Sequence, residues 1–444
     1  MKIVYLIPGS GAGFYCENCM RDIPLLSALK RKDVEVIKIP IYLPLFTDEK
    51  NYIDDHGVFL GAVNLYLKYK YPSLKRMPGW ISWLLNTRPV LKIAAGLSSS
   101  TQAAGLEGLT MDMLSGHMPY LKKETDQLIS FLADNIKPDI IHISNALLAG
   151  LGLNLKKSLA ERNLKTRLVC TLQDEHTWID NMNEPHRSRA WETLCRASEQ
   201  IDMYFPVSSY YEKFMSSKLG TEKSRMKVVN NGIDCELYKD VNPSADPPVI
   251  GYLSRLHKGF GLDTLAEIYL KLKNEPGLEN LKLRITGGHT SEDRRFIRKI
   301  RNRLKQHIRK GDVHFYRHFD LKHRLDFFSG MTVLSVPMEQ PEAFGIYLLE
   351  AMASGISAVQ PDIGSFPEII DSGIGLIYDT GKKDSLHDAL KKILLDPENL
   401  QKRMLKARNH ALRNFCLDLI AEKLKSYYQD LIPSGKEIGE EKCS

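Results

Sequence analysis

Two glutamates, Glu342 and Glu350, flank a loop between a predicted strand and a predicted helix. The preceding run Thr332–Pro337 is apolar and rich in β-branched residues, which is typical of a buried parallel strand. From Ile346 the apolar positions take helical spacing, and Gly345 lets the backbone approach a ligand. The free N–H groups of a helix's first turn favour phosphate, and the two carboxylates could accept hydrogen bonds from hydroxyls on either side of it. The pattern therefore predicts a site for a molecule shaped like a sugar nucleotide.

Two cations follow another predicted strand. The strand Val249–Leu253 leads into a loop that carries Arg255 and Lys258. The planar guanidinium of Arg255 offers paired donors to a diphosphate, and Lys258 offers a point charge. When a sugar leaves a nucleoside diphosphate, negative charge builds on the phosphate, and cations there would stabilise the transition state.

A glycine-rich loop near the amino terminus could also cradle phosphate. It contains Gly11 and Gly13 and lies between the predicted strand Lys2–Ile7 and a predicted helix. A nicotinamide-binding domain would usually place an acid at the end of the next strand to hold the ribose. That strand ends at Lys38, Ile39 and Pro40, so an oxidoreductase is not favoured.

Composition bounds the class of protein. The 444 residues are too many for one ordinary core, and 43% hydrophobic with 26% charged residues is typical of a soluble globular protein. No apolar run is long enough to span a bilayer. Seven scattered cysteines, an odd number, fit a reducing cytoplasm. Cys16 and Cys19 form a Cys-x-x-Cys without a second pair, and no Asp-x-Asp stands in a suitable loop, so no metal and no cofactor are expected.

Alternating strands and helices predict an α/β fold with two Rossmann-like, doubly wound parallel-sheet domains. The first covers residues 1–240 with an irregular insertion at about 41–118, and the second covers residues 241–415. A Pro-rich polar segment, Asp240–Pro248, marks the linker. Residues 433–444 are expected to be a flexible tail.

Two basic segments raise the question of partners. Within the insertion, residues 65–83 mix basic and aromatic side chains, which suits a membrane interface, contacts to sugar rings, or plain packing; these alternatives stay open. The basic stretch 293–310 is expected to be a solvated face, because Phe296 is its single aromatic residue, and no nucleic acid partner is predicted.

The string from Pro341 to Gly355 resembles the Glu-x7-Glu signature of the family 4 retaining glycosyltransferases, which have the two-domain GT-B fold. Three further segments match that family's patterns: Gly251–Gly259, Asn230–Asp234 and Gly364–Glu368. The resemblance implies two domains that face each other across a cleft, and a helix at residues 416–432 that crosses back to the first domain. It also implies chemistry that needs no metal.

The same resemblance implies a role for each matching residue. Glu342 would contact the donor sugar and act in catalysis with Arg255 and Lys258, and Glu350 would contact the nucleotide ribose. The remaining implied donor-binding positions are Phe344, Gly345, Ile346, Gly287 and Gly288, beside Gly11 and Gly13 of the first loop.

The chain departs from the family at two places. Ser254 replaces a glycine, and the spacing from Arg255 to Lys258 is two residues shorter than usual. Many relatives carry a histidine facing the donor sugar where this chain has Gln173. The neighbouring Asp174 and His176 are alternative contacts to donor sugar or acceptor, and His142 is either a ligand or a core histidine.

The expected function is a cytoplasmic, retaining hexosyltransferase-type enzyme that moves a sugar from a nucleoside-diphosphate sugar to a hydroxyl acceptor, which is a glycan, a lipid-linked molecule or a small molecule. Peripheral contact with the inner face of a membrane is left open as a further alternative for its localisation. The alternatives are a non-enzymatic relative that serves as a binding subunit, and another GT-B enzyme such as a sugar-nucleotide epimerase or a phosphorylase.

Overall fold

The computed structural model describes residues 1–8, 17–41, 107–117, 122–371 and 373–432, with only the backbone for residues 17–20. The basic aromatic segment 65–83, the tail 433–444, Gly11 and Gly13 therefore lie outside the described residues.

The first sheet consists, within the described residues, of five parallel strands in the order β2-β1-β3-β4-β5. They are β1 (Lys2–Ile7), β2 (Glu35–Pro40), β3 (Ile140–Ile143), β4 (Arg167–Leu172) and β5 (Met203–Pro206). Their runs of apolar residues are buried because helices cover both faces. The strand order reverses between β1 and β3, which is where doubly wound sheets bind ligands.

The helices of this half are bounded as follows: α1 (Glu17–Arg31), α2 (Glu107–Ser115), α3 (Lys122–Ser130), α4 (Ala149–Glu161), α5 (Glu175–Ile179), α6 (His186–Ser198) and α7 (Ser209–Leu219). The first turn of α7 is capped by Ser208, whose Oγ accepts a hydrogen bond from the Tyr211 N–H at 3.1 Å. A serine side chain can satisfy a free N–H of a helix start in this way.

The second sheet has six parallel strands in the order β11-β10-β9-β6-β7-β8 among the described residues. They are β6 (Val249–Leu253), β7 (Lys282–Thr286), β8 (Val313–Phe315), β9 (Val333–Leu334), β10 (Ser357–Pro361) and β11 (Leu376–Tyr378). This is the Rossmann order, and it reverses between β6 and β9. The prediction of two parallel-sheet α/β domains is confirmed.

The helices around this sheet are α8 (Leu262–Leu272), α9 (Arg294–Arg303), α10 (Lys305–Arg309), α11 (Leu321–Phe328), α12 (Ile346–Ala353), α13 (Phe366–Ile369), α14 (Ser385–Leu394), α15 (Leu400–Phe415) and α16 (Leu417–Leu431). The basic stretch 293–310 forms two helices, α9 and α10, which meet at the buried Leu304. The last helix, α16, packs on α1 of the first domain, where Ile420, Leu424 and Tyr428 are buried.

Candidate functional site

The reversal point between β6 and β9 brings together the two loops that the sequence singled out. The two strands are hydrogen-bonded neighbours, with Ile250 paired to Val333. Parallel strands end at the same edge of a sheet, so the Arg255 loop after β6 and the Glu342 loop after β9 lie side by side.

Arg255 has buried donors without a hydrogen-bond partner among the described residues. These are its Nε and Nη2 atoms, although Nη2 lies 3.7 Å from Oδ2 of Asp293. Burial would raise the pKa of Asp293, but hydrogen bonds from Thr290 and His257, together with the charge of Arg255, hold it below its ordinary value. Asp293 is therefore ionised and positions a guanidinium that has donors to spare for an anion.

Gly287 packs closely against the backbone of the Arg255 loop. Its φ of +139° is open to glycine, and a Cβ built there would lie 1.8 Å from the Ser254 carbonyl oxygen. The next residue, Gly288, accepts a hydrogen bond from the Leu256 N–H at 2.9 Å. The loops after β6 and β7 thus pack backbone against backbone, and the predicted role of this glycine pair as a lining of the cleft stays a prediction.

The Gly287→Ala variant should lower the free energy of unfolding by about 3 kcal/mol, because the new Cβ meets both strain and a carbonyl oxygen. Urea unfolding measures the change. Gly311→Ala is the matched control: its φ is also positive, at +78°, but nothing lies within 4 Å of the added Cβ. That variant should cost about 1 kcal/mol, and equal losses in the two variants would contradict the packing argument.

Lys258 lies apart from these buried donors. It is exposed on the rim of a groove of about 1070 Å³ between α8 and α9. Glu267, Glu292 and Arg298 line the same groove. The structure therefore places the two predicted cations in different surroundings, and the catalytic role of Lys258 stays a prediction.

Glu342 sits at the start of the α12 loop. Its Oε2 accepts a hydrogen bond from the Tyr347 hydroxyl at 2.9 Å. Gly345 has a φ of +97°, and Gly364 packs on the Glu342 backbone so closely that a Cβ there would lie 2.7 Å from its nitrogen. The two glycines thus fix the path of the backbone that carries the carboxyl group.

Asp174, from the first domain, faces Glu342. It adopts a left-handed conformation, with φ 57° and ψ 14°, just before α5, and the Ala343 N–H is near enough to lower the pKa of its carboxyl group. Its Oδ1 is buried without a hydrogen-bond partner in the part of the chain that the structure describes. A strained backbone and an unsatisfied buried oxygen are features of ligand sites.

Burial raises the pKa of both carboxyl groups. For Glu342, burial first and the nearby charge of Asp174 second raise the pKa to about 8, against a smaller opposite effect of Tyr347. Burial also raises the pKa of Asp174, while His176 and the Ala343 N–H oppose the rise. One of the two carboxyl groups is therefore protonated in the free protein near neutral pH.

The stability that Glu342 contributes should fall as pH rises from about 4.5 to about 8. In this window Glu342 retains its proton in the folded state but loses it in the unfolded chain. The unfolded state therefore binds fewer protons, and a rise in pH favours it over the folded state. Glu175, whose pKa burial raises to about 7, acts in the same direction. Urea unfolding at a series of pH values measures the slope. Glu342→Gln should flatten it, exposed Glu339→Gln should not, and an unchanged slope in Glu342→Gln would contradict the assignment.

Further contacts join the first domain to this loop. Ser208 Oγ donates to the Ala343 carbonyl at 2.7 Å, and His176 Nε2 lies 3.4 Å from the Pro341 carbonyl. The Glu368 carboxylate of the second domain accepts from two N–H groups at the start of α7, those of Ser209 at 2.9 Å and Tyr210 at 2.7 Å. The domains therefore meet at the Glu342 loop.

Gln173 points away from this meeting place. Its side chain is 2% exposed and donates to the Ser144 carbonyl at 3.0 Å. Next to it, the buried Glu175 accepts from the Ala146 N–H at 2.9 Å and from the Tyr211 hydroxyl at 2.7 Å. Three residues of this segment were predicted to contact donor or acceptor. Asp174 and His176 reach the second domain, whereas the Gln173 side chain makes its hydrogen bond within the first domain.

His142 is enclosed in the first domain. Its Nδ1 lies 2.5 Å from the Tyr428 hydroxyl and its Nε2 lies 2.8 Å from Thr171 Oγ1. Burial, aided by the charge of Arg21, lowers the pKa of the ring well below its ordinary value. Both nitrogens already have partners, which matches the alternative of a core histidine.

Glu350 is 1% exposed on α12, where its Oε1 accepts from the Tyr238 hydroxyl at 2.6 Å and from Arg324 Nε at 2.7 Å. Its predicted contact with ribose stays a prediction. Two other implied donor contacts, Phe344 and Ile346, have buried side chains, so only their backbone could contact a donor.

The sequence did not single out Asp293, Tyr347 or Glu175. The sequence around Asp293 did contain an indication of its local contact, because Asp293 follows Thr290 by three residues at the start of a helix. In the structure the Thr290 N–H donates a hydrogen bond to the Asp293 carboxylate at 2.7 Å. Tyr347 had none, because an aromatic residue at helical spacing is equally expected in a core.

Two kinds of site are absent from the residues that the structure describes. No group of three or more His, Cys, Asp or Glu side chains is arranged to hold a metal ion. No helix in those ranges is long and apolar enough to cross a membrane.

Comparison with known proteins agrees with this geometry. The family described as Glycosyl transferases group 1 matches residues 236–410, and the family described as Glycosyltransferase Family 4 matches residues 112–237. The two matches overlap at residues 236–237, just before the linker, and together span residues 112–410.

Two curated relatives show how far the similarity extends. A phosphatidyl-myo-inositol mannosyltransferase of Mycobacterium leprae is 31% identical over 98 residues, which are 22% of this chain and 26% of that protein. A D-inositol 3-phosphate glycosyltransferase of Corynebacterium glutamicum is 27% identical over 244 residues, 49% of this chain and 55% of that protein. The chain thus spans between about a quarter and just over half the length of these relatives.

Solved structures share the whole fold at low identity. The sucrose-phosphate synthase of Thermosynechococcus elongatus has a TM-score of 0.67 at 17% identity, over 97% of this chain and 99% of that one. The Anabaena protein HepE, in complex with UDP and glucose, has a TM-score of 0.63 at 15% identity, over 97% and 100%. The chain belongs to the family 4 (group 1) glycosyltransferases, with the two-domain GT-B fold.

Proposed function

We propose that this protein transfers a sugar, of the hexose class, from a nucleoside-diphosphate sugar to a hydroxyl acceptor with retention of anomeric configuration. The observation that carries the proposal is the arrangement at the β6/β9 reversal point. There the unpaired donors of Arg255 lie on one loop, the Glu342 carboxyl group lies on the next, and Asp174 reaches in from the other domain.

Arg255 would act on the leaving group. Cleavage of the sugar–phosphate bond places negative charge on the diphosphate, and a buried, fixed guanidinium stabilises that charge more than water does. On the same face, the departing phosphate oxygen would accept the proton of the attacking hydroxyl, which keeps the anomeric configuration. No metal is needed in this scheme, because Arg255 supplies the positive charge.

Glu342 and Asp174 would hold the sugar. A pair of carboxyl groups with one proton between them can both accept hydrogen bonds from sugar hydroxyls and donate one. Loss of that proton would place a negative charge beside the developing positive charge of the sugar ring. The contacts of Ser208, His176 and Glu368 across the domains would exclude water when the cleft closes.

A thermal-shift screen against UDP, GDP and ADP sugars tests donor binding. The bound donor is then incubated with candidate acceptors, including inositol-type polyols because two relatives are named for them. We expect release of the nucleoside diphosphate only when acceptor is present, the same anomer in the product by NMR, and unchanged rates in EDTA.

Each other outcome assigns a different function. No thermal shift with any donor would favour a binding subunit, for which the inward orientation of Gln173 is the supporting observation. Release without acceptor, or an altered free sugar nucleotide, would favour another GT-B enzyme.

A further inference from the structure

Helices α9 and α10 carry a concentration of positive charge that the proposed reaction does not use. Residues 294–310 contain nine Lys or Arg and no Asp or Glu, which is more than the net charge of +7 of the whole chain. All nine side chains are exposed. We call these nine residues the basic surface: Arg294, Arg295, Arg298, Lys299, Arg301, Arg303, Lys305, Arg309 and Lys310.

The basic surface is broad. At 100° per residue, the cationic positions of α9 cover roughly 200° of its circumference, and the buried Ile300 lies on the opposite side. The Arg301 guanidinium lies over the Phe315 ring at 4.1 Å, which extends the surface to the edge strand β8. The positive face therefore runs along the outer edge of the second domain.

Few close ion pairs balance this charge among the described residues, and the carboxylates of Asp263, Glu267 and Glu292 lie in the groove beside it. Arg303 lies 4.0 Å from Glu267, and Arg301 contacts Phe315. The other seven cations have no carboxylate within 4.0 Å among the residues described. Like charges on neighbouring turns repel and destabilise a helix, so an external anion would relieve a cost that folding alone does not remove.

The shape and chemistry of the basic surface favour a flat, mobile array of anions. A single-stranded nucleic acid would require aromatic platforms, and the one aromatic residue of α9, Phe296, is half-buried. Anionic lipid headgroups need no such platforms, since they rearrange laterally under clustered Lys and Arg. We propose that the basic surface docks the second domain onto an anionic lipid bilayer.

This docking is independent of the proposed transfer reaction and of the segment 65–83. It requires charge alone, so it should be strong at low salt and weak at high salt. It places the membrane contact on the second domain, next to the loop of Gly287 and Gly288.

Vesicle sedimentation of the full chain tests the proposal, with phosphatidylcholine vesicles containing roughly a third phosphatidylglycerol and with pure phosphatidylcholine vesicles. The test variant is Arg294→Glu, Arg298→Glu, Lys305→Glu. The matched control, with the same change in net charge, is Lys157→Glu, Lys165→Glu, Lys223→Glu, at exposed positions of the first domain. Circular dichroism and thermal unfolding check that both variants fold.

We expect binding to the anionic vesicles alone, its loss in high salt, and a partition coefficient lowered about 100-fold in the test variant. The control variant should stay within about 3-fold of the original chain. Equal losses in both variants, no binding to anionic vesicles, or tighter binding to a DNA oligonucleotide than to the vesicles would each overturn the proposal.

Discussion

The Glu342→Ala variant should lose about 10³-fold in kcat/KM for sugar transfer while keeping its fold. Truncation removes the carboxyl group that lies near Asp174, on the loop beside the Arg255 loop. Its other contact, a hydrogen bond from Tyr347, is a local one, so its loss should cost little stability. Initial transfer rates over a range of donor concentrations, together with circular dichroism, measure the two effects separately.

Glu342→Gln separates the two roles of this side chain. An amide reproduces the hydrogen bonding of a protonated carboxyl group but cannot become negative. We expect donor affinity within about 3-fold of the original and kcat lowered about 100-fold. Full activity in either Glu342 variant would defeat the assignment of Glu342 to the sugar site.

Arg255→Ala should lower kcat about 10³-fold and weaken the binding of the free nucleoside diphosphate. The guanidinium has two buried nitrogen atoms without partners among the described residues, and these are the donors that a diphosphate would satisfy. Truncation removes the positive charge, and it also leaves the negative charge of Asp293 without the nearby guanidinium, so that this carboxylate would repel phosphate. Calorimetry with UDP, GDP and ADP measures the binding loss.

Arg255→Lys and Lys258→Ala are the comparison variants. Lysine keeps the charge but not the paired donors, so it should recover only part of the rate. Lys258→Ala tests whether the exposed second cation takes part. An Arg255→Ala variant that transfers sugar at the original rate would contradict the leaving-group role.

Several parts of the site could be predicted from short stretches of the sequence. The change from strand to helical spacing around Glu342, the glycine at position 345 and the cap at Ser208 are properties of a few neighbouring residues. Each is fixed by backbone sterics and burial within one strand–loop–helix unit, and the structure shows the last of these as a hydrogen bond of 3.1 Å to the Tyr211 N–H.

Other parts of the site could not be predicted in this way, because they join residues that are far apart in the chain. Nothing local indicates that Asp174 would face Glu342, that Arg324 would pair with Glu350, or that His142 would bond to Tyr428 of the last helix. The direction of the Gln173 side chain is also a tertiary property, because its partner is the carbonyl of Ser144, just after the neighbouring strand β3.

By itself the sequence determined two parallel-sheet domains, the loops that carry Arg255 and Glu342, and the family, because periodicity and motif spacing are local. The tertiary structure alone decided which residues of the first domain meet those loops and that Lys258 lies on an outer groove. It also decided that nine cations share one exposed edge. These outcomes depend on strand order and on the packing of one domain against the other, and neither is encoded in any short stretch of residues.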